Sequence, residues 1–321
     1  MFGESQAIAG WAVPLWAQRA LGAPPLALER QWLLSQSGNE VYRACMPDGS
    51  SRVLRISPHA RAFVHTGANL AVLRELGLPV QTVLAEGATP TGAAFIVLDW
   101  LPGRDLYYAL PELSGAQAAR IAATVTDFQR RVGARETPAQ GGFGWVSSFG
   151  ARRHRARWTD IFGEPAPRDV HVEMRDRPGA TPLDHCRGRL GLLRASLEDY
   201  FATLAPVCFL HDLTIKNVLV QDGELSGLID FDSVCYGDPL MVPGVTLAHL
   251  EADVGEAGRA YGEALMQCWR PQGAQMRATA FYASLWATGF LSIAHDAGDA
   301  ERVRALVPVV ERFLSLGEGA A

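Results

Sequence analysis

Four oxygen-bearing side chains crowd one stretch of the 321-residue chain: Asp212, Asn217, Asp230 and Asp232 fall within 21 positions. Asp212 and Asn217 are five apart, in D-L-T-I-K-N. Three short apolar runs, 207–210, 218–220 and 225–229, have the length of strands, and Gln221-Asp222-Gly223-Glu224 has the chemistry of a turn between two of them. The acidic and amide groups therefore fall at strand ends and in short loops. A hairpin of this length returns Asp230 to the side of Asn217. One carboxylate and one amide oxygen there suit Mg²⁺, which takes one or two carboxylates and completes its octahedron with water and phosphate oxygens. Asp212 is left to accept a hydroxyl proton. A base, two metal ligands and a metal on phosphates are the equipment of phosphoryl transfer.

The stretch resembles the catalytic core of the aminoglycoside phosphotransferase and choline kinase group of small-molecule kinases. That group has a catalytic-loop Asp, an Asn five residues on, and an I-D-[FW] strand end leading to G-D-P. Here these are Asp212, Asn217, Ile229-Asp230-Phe231 and Gly237-Asp238-Pro239. The resemblance implies that Asp212 is the base, Asn217 and Asp230 hold Mg²⁺, and Asp238 is a structural acceptor. It also implies a bilobal, protein-kinase-like α+β fold, with a small antiparallel-sheet N-lobe over 1–101 and a larger, mostly helical C-lobe over 102–321. One departure stands out: the group's H-G-D is Leu210-His211-Asp212 here, and the lost Gly narrows the backbone options of the loop.

The elements that must position these groups follow along the chain. Apolar spacing at Ile8, Trp11, Leu15 and Leu21 predicts a helix over 5–21, kinked at Pro14. Residues 30–57 read as strands at 31–34, 40–45 and 52–56. The polar loop 35–39 between the first two carries Ser37, Gly38 and Asn39, and its N–H groups could lie over phosphates; an ordinary hairpin is the plainer reading. Arg52-Val53-Leu54-Arg55-Ile56 stands where kinases carry V-A-I-K, which makes Arg55 the cation on the α/β-phosphates. Its planar, permanently charged fork suits that task; a surface strand Arg is the alternative. A helix over 62–76 is where the kinase plan puts a Glu facing the strand cation. Asn69 falls at that place and Glu75 lies more than a turn away. Strands at 82–86 and 93–99 follow. Phe95 to Gly103 resembles the family's hinge, which implies that the backbones of Asp99 and Leu101 bond the adenine edge.

Amphipathic helices are predicted over 114–132 and 183–204, with an irregular Arg-, Gly- and Pro-rich stretch over 134–182 between them. That stretch reads as shaping the acceptor pocket, and Arg152-Arg153-His154-Arg155 as a solvated face. Beyond Pro239 the chain turns helical, roughly over 244–253, 255–268, 276–297 and 300–315. The third of these is apolar almost throughout and reads as buried.

Composition narrows the function classes. The chain is 48% hydrophobic and 20% charged, with a net charge of −5 and no long basic run. That argues against a nucleic-acid footprint. No run reaches about 18 apolar residues, so no membrane span is expected, and the N-terminus lacks the basic start of a signal peptide. Five scattered cysteines without C-x-x-C fit a reducing cytoplasm. The one lysine, Lys216, sits inside the catalytic motif, where it either touches a phosphate or is a solvated loop cation. The expectation is a monomeric or homodimeric kinase that uses Mg²⁺ with ATP or GTP to phosphorylate a small hydroxyl compound. One alternative is a catalytically degenerate nucleotide-binding protein of the same fold. Another is a phosphatase of the haloacid dehalogenase type, with Asp230 as nucleophile and Asp232 as acid/base; the 91 residues after Asp230 read as helix rather than the further β/α repeats it needs.

Overall fold

A six-stranded antiparallel sheet organises the N-terminal part of the computed structural model, which describes residues 7–31, 39–135, 141–162 and 181–319. Its strands are β1 (Ala7–Ala9), β2 (Ala27–Gln31), β3 (Glu40–Cys45), β4 (Ser51–Ser57), β5 (Val83–Ala88) and β6 (Ala94–Asp99), in the order β1-β2-β3-β4-β6-β5. Strand β6, flanked on both sides by β4 and β5, is buried at Ala94, Ile96, Val97 and Leu98, which is why it reads as a continuous apolar run. Helix α1 (Leu15–Ala20) packs Ala17 with Leu28, Ala44, Leu54 and Val97 of the sheet. Helix α2 (Thr66–Glu75) carries its buried side at Thr66, Asn69, Leu70 and Leu73.

The helix expected over 5–21 is corrected to a strand, a short 3₁₀ turn and α1. Pro14 is the cap of α1, not a kink inside it; proline has no N–H to give to a helix interior. Ala7–Ala9 pairs with Ala27–Glu29, and Gly10 N–H donates to Leu26 O at 2.9 Å. A side chain at Gly10 would meet the Pro25 carbonyl at 2.0 Å, so the close approach needs glycine. The helical spacing misled because Trp11 and Leu15 are exposed. The strand expected at 31–34 begins earlier, at Ala27, and residues 32–38, with Ser37 and Gly38, lie outside the described residues.

The chain divides into two compact units. The first comprises 1–103, 147–149 and 226–233; the second comprises 104–146, 150–225 and 234–321. The second unit opens with β7 (Arg104–Asp105), α3 (Leu106–Ala109) and α4 (Gly115–Gly133), which starts at a Ser114/Gln117 capping box. Strand β8 (Gly144–Val146) follows. Then come α5 (Pro182–Ser196), α6 (Glu198–Ala202), β9 (Val207–Phe209), β10 (Val218–Gln221), β11 (Glu224–Leu228) and β12 (Val234–Gly237). Asp222 and Gly223, with φ of 52° and 79°, make the turn between β10 and β11; both central residues at positive φ give the hairpin turn whose twist matches the strands it joins.

The expected irregular stretch over 134–182 is only partly irregular. Gly144–Val146 forms a sheet of order β8-β12-β9, pairing Trp145 with Cys235, while Cys235 also faces Phe209. Arg153, expected on a solvated face, is buried over the Tyr236 ring at 4.0 Å. The remaining helices are α7 (Met241–His249), α8 (Arg259–Trp269), α9 (Ala274–Asp296) and α10 (Ala300–Gly319), with a π turn at Leu250–Val254. Helix α9 buries Phe281, Tyr282, Ala287 and Leu291 and packs against α5, α7 and α10, as its apolar sequence requires. No helix among the described residues is long and apolar enough to cross a membrane.

Candidate active site

The loop that carries Asp212 and Asn217 belongs to the second unit and is held mostly by its own backbone. Thr214 N–H donates to Asp212 O at 2.8 Å, Leu213 N–H to Leu210 O at 3.2 Å, and Asn217 N–H to Thr214 O at 3.2 Å. Leu213, Thr214 and Ile215 are buried, and Tyr107 N–H donates to Ile215 O at 2.9 Å. The Asn217 amide nitrogen donates to Asp212 O at 2.8 Å. That bond fixes the amide and leaves its oxygen as the atom able to take a cation.

Leu210, which stands where the family carries His, is clamped from α4. Gln129 donates from Nε2 to Leu210 O at 2.8 Å and accepts Leu210 N–H on Oε1 at 3.0 Å. Both partners are buried. Sequence reasoning took this helix for core alone and missed Gln129. The signal was there: a polar residue between Phe128 and Val132 on the apolar side of an amphipathic helix. The lost Gly has little consequence, because His211 keeps a negative φ; its ring meets Trp145 edge-on with centroids 6.1 Å apart.

Lys216 is not a solvated cation. Its Nζ lies 3.0 Å from Asp253 Oδ2. Asp253 also accepts from Arg302 Nη2 at 2.6 Å and stands 3.3 Å from His249 Nδ1. Burial works to raise the Asp253 carboxyl, but His249 and Lys216 outweigh it and hold it well below the usual carboxylate range. Nearby on β7, burial pushes Asp105 up from 3.8 to about 6 against the pull of Lys216. Asp238 is the buried acceptor the resemblance implied. Tyr282 and Tyr200 hydroxyls donate to its Oδ2 at 2.8 and 2.9 Å, Leu240 N–H donates to Oδ1 at 3.0 Å, and Trp158 Nε1 donates to the Tyr282 hydroxyl at 2.7 Å.

The first unit brings Arg55, Asp230 and Asp232 together. Arg55 lies on β4 between Val41 and Ile96. Its Nη2 is 3.1 Å from Asp230 Oδ1 and 2.6 Å from Asp232 Oδ2, and its Nη1 is 3.4 Å from Asp232 Oδ1. The guanidinium lies 5.0 Å from the Phe63 ring centre. Burial opposes its charge, but the two carboxylates prevail and raise its pKa above the ordinary arginine value. Burial and the neighbouring Asp230 push Asp232 up, against Arg55 and the Thr66 hydroxyl, which donates to its Oδ1 at 2.7 Å. Two carboxylates around one guanidinium leave the cluster net negative, a place suited to a further cation. Asp230 is the more open acid, with a side chain 43% exposed against 25% for Asp232, and its φ is +69°. Asp tolerates this left-handed region better than most residues.

Neither helix candidate partners Arg55. Asn69 is buried and donates from Nδ2 to Ser147 O at 2.9 Å and Phe231 O at 3.0 Å. Glu75 is exposed. At the expected hinge, Asp99 N–H donates to Thr82 O at 3.0 Å and Asp99 O accepts Gln81 Nε2 at 2.9 Å. Leu101 packs so closely on Gly227 that a side chain there would meet it at 2.7 Å. Asn39, at the start of β3, is described; Ser37 and Gly38 are not.

The α+β architecture, with an antiparallel sheet before a helical region, and the loop and strand-end motifs define a kinase-like phosphotransferase. The chain belongs to the phosphotransferase enzyme family, whose family model matches residues 32–278. Among solved structures it is similar to a thermostable mutant of aminoglycoside phosphotransferase APH(4)-Ia in its apo form, at 16% identity and a TM-score of 0.65, covering 96% of this chain and 100% of that one. It is also similar to the gentamicin complex of APH(2″)-IIa, at 13% identity and a TM-score of 0.60, covering 95% and 98%. A third is the GDP complex of wild-type aminoglycoside 2′-phosphotransferase-IIIa, at 16% identity and a TM-score of 0.57, covering 89% and 92%. No curated protein matches the chain in sequence.

Proposed function

We propose that the protein transfers the γ-phosphate of ATP or GTP to a hydroxyl of a small molecule. The observation that carries this reading is the catalytic loop, in which Asn217 locks the Asp212 carbonyl at 2.8 Å inside a chain of the phosphotransferase family. Asp212 orients the acceptor hydroxyl and takes its proton. Arg55 grips the α/β-phosphates. Asn217 and Asp230 are the oxygen ligands for Mg²⁺, and their chemistry fits: one amide oxygen and one partly exposed carboxylate are hard donors of the kind Mg²⁺ prefers. When bound, Mg²⁺ supplies charge neutralisation on the phosphates. The residues otherwise contribute positioning and fixed charge, which is most of what phosphoryl transfer asks of a protein. Of the hinge backbones, the Leu101 peptide is the stronger candidate for the nucleobase, since both polar groups of the Asp99 peptide already have partners.

Relatives of the same fold bind AMP-PNP with hygromycin B, gentamicin, or GDP. Hydroxyl-rich polycations therefore head the acceptor panel, and the net charge of −5 is compatible with them. The test is γ-labelled ATP and GTP with a panel of aminoglycosides, amino alcohols and sugars. Label should move to at least one acceptor, and Asp212→Ala should abolish transfer while AMP-PNP still binds. Transfer undiminished in Asp212→Ala would remove the base assignment. Phosphate release from monoesters without any nucleotide would favour the phosphatase reading through Asp230 and Asp232.

A further inference from the structure

The strand cation of a kinase needs a carboxylate to aim it, and α2, the helix expected to supply one, does not. Its one acid, Glu75, is exposed. Asn69 is committed to two backbone carbonyls. The acid in contact with Arg55 comes instead from the segment after β11. Asp232 meets the guanidinium with both oxygens, Oδ2 at 2.6 Å from Nη2 and Oδ1 at 3.4 Å from Nη1. A two-oxygen contact fixes the plane of the guanidinium as well as its place, which a single contact does not. Asp232 is itself held by Thr66, whose hydroxyl donates to Oδ1 at 2.7 Å. So α2 still takes part, through a hydroxyl on its first turn rather than an acid on its third. Asp230 touches Arg55 through one oxygen only, at 3.1 Å, and is the more exposed of the two acids. It is the acid better placed to leave Arg55 for a cation.

We propose that Asp232 is the positioning residue of the phosphate-binding Arg55, anchored by Thr66, and that it replaces the helix carboxylate of the kinase plan. Two acids two positions apart thereby divide the work: Asp230 serves the metal, and Asp232 serves the arginine. The inference rests on the kinase reading above, because it takes Arg55 to be the phosphate cation.

The test measures AMP-PNP binding with Mg²⁺ by calorimetry, alongside nucleotide KM, acceptor KM and kcat, on the full chain. Asp232→Asn keeps the shape and removes the charge. It should weaken AMP-PNP binding and raise nucleotide KM by about tenfold, the coupling expected inside one ion-pair network, and leave acceptor KM unchanged. Arg55→Ala should weaken binding at least as much, and adding Asp232→Asn to it should change nothing further. Thr66→Val, which removes a single bond and spares the charge, should give a smaller loss in the same direction and keeps the test decisive if Asp232→Asn does not fold. Asp232→Glu should restore part of the binding that Asp232→Asn loses. Losses that add in the double variant, or a loss confined to thermal stability with nucleotide KM unmoved, would overturn the assignment. Wild-type protein that binds AMP-PNP and transfers no phosphate would count against the kinase reading and leave the Arg55–Asp232 coupling to be read from binding alone.

Discussion

Asp105 shows how a single half-buried carboxyl makes stability depend on pH. Burial lifts its carboxyl from 3.8 to about 6, with Lys216 pulling the other way. The native state therefore holds a proton that the unfolded chain has already lost between these values. Stability is fullest below the lower value and falls as pH rises through the upper one. Asp105→Asn removes that titration. Relative to wild type, the variant should gain about 2 kcal/mol in urea melts between roughly pH 4 and pH 7, after a discount for partial exposure. A difference between the two proteins that stays flat across that range would show that Asp105 carries no such cost. At this scale the sequence was unevenly legible. Asp212, Asn217 and Asp230 stood out because their spacing is local. The partner of Arg55 did not, because it lies 177 positions away and only the fold brings it near. Gln129 was hidden for the same reason: its clamp on Leu210 spans 81 positions.

Elements succeed or fail on close packing as much as on propensity. Strand β12 was not foreseen, since Val234–Gly237 is short and follows a loop. Yet Gly237 is among the most constrained glycines here. A side chain on it would sit 1.9 Å from the Trp158 ring. That ring is fully buried and tied through its N–H to Tyr282, so it has nowhere to move. Gly237→Ala should destabilise the protein by about 2–3 kcal/mol, the usual cost of overpacking. Gly115→Ala is the control: a side chain there meets nothing within 4 Å, and alanine suits a helix better by up to about 1 kcal/mol. Equal melting midpoints for the two variants would refute the packing argument. Helix α4, by contrast, was legible almost to the residue, because its capping box lies within one turn and its mostly apolar stripe repeats at helical spacing along the same stretch of chain. The 5–21 helix was misread because periodicity alone cannot tell an exposed Trp11 and Leu15 from core.

For the whole molecule, the order of elements carried the fold. Strands dominate the first hundred residues and helices the chain beyond Pro239, as the six-stranded sheet and α7–α10 display, while the dense motif sits among β9–β12 after α3–α6. The boundary was less visible, because 147–149 and 226–233 join the first unit across long stretches of sequence. Ligand linkage offers a test at this scale. A nucleotide bound to the native state alone adds about 2.7 kcal/mol at one hundred times its Kd. AMP-PNP with Mg²⁺ should therefore raise the melting temperature by a few degrees, and EDTA or Asp230→Ala should remove most of the gain. An equal shift with and without Mg²⁺ would argue against Asp230 as a metal ligand.

The left-handed backbone at Asp230, with φ at +69°, also restricts how this lineage can decay. Beside aspartate, asparagine and glycine are the residues that settle there at small cost, and both lack a carboxylate. Where that carboxylate is lost and the fold is kept, Asn or Gly is the replacement this backbone accepts at least cost, so a silenced copy can remain folded with a change of one letter.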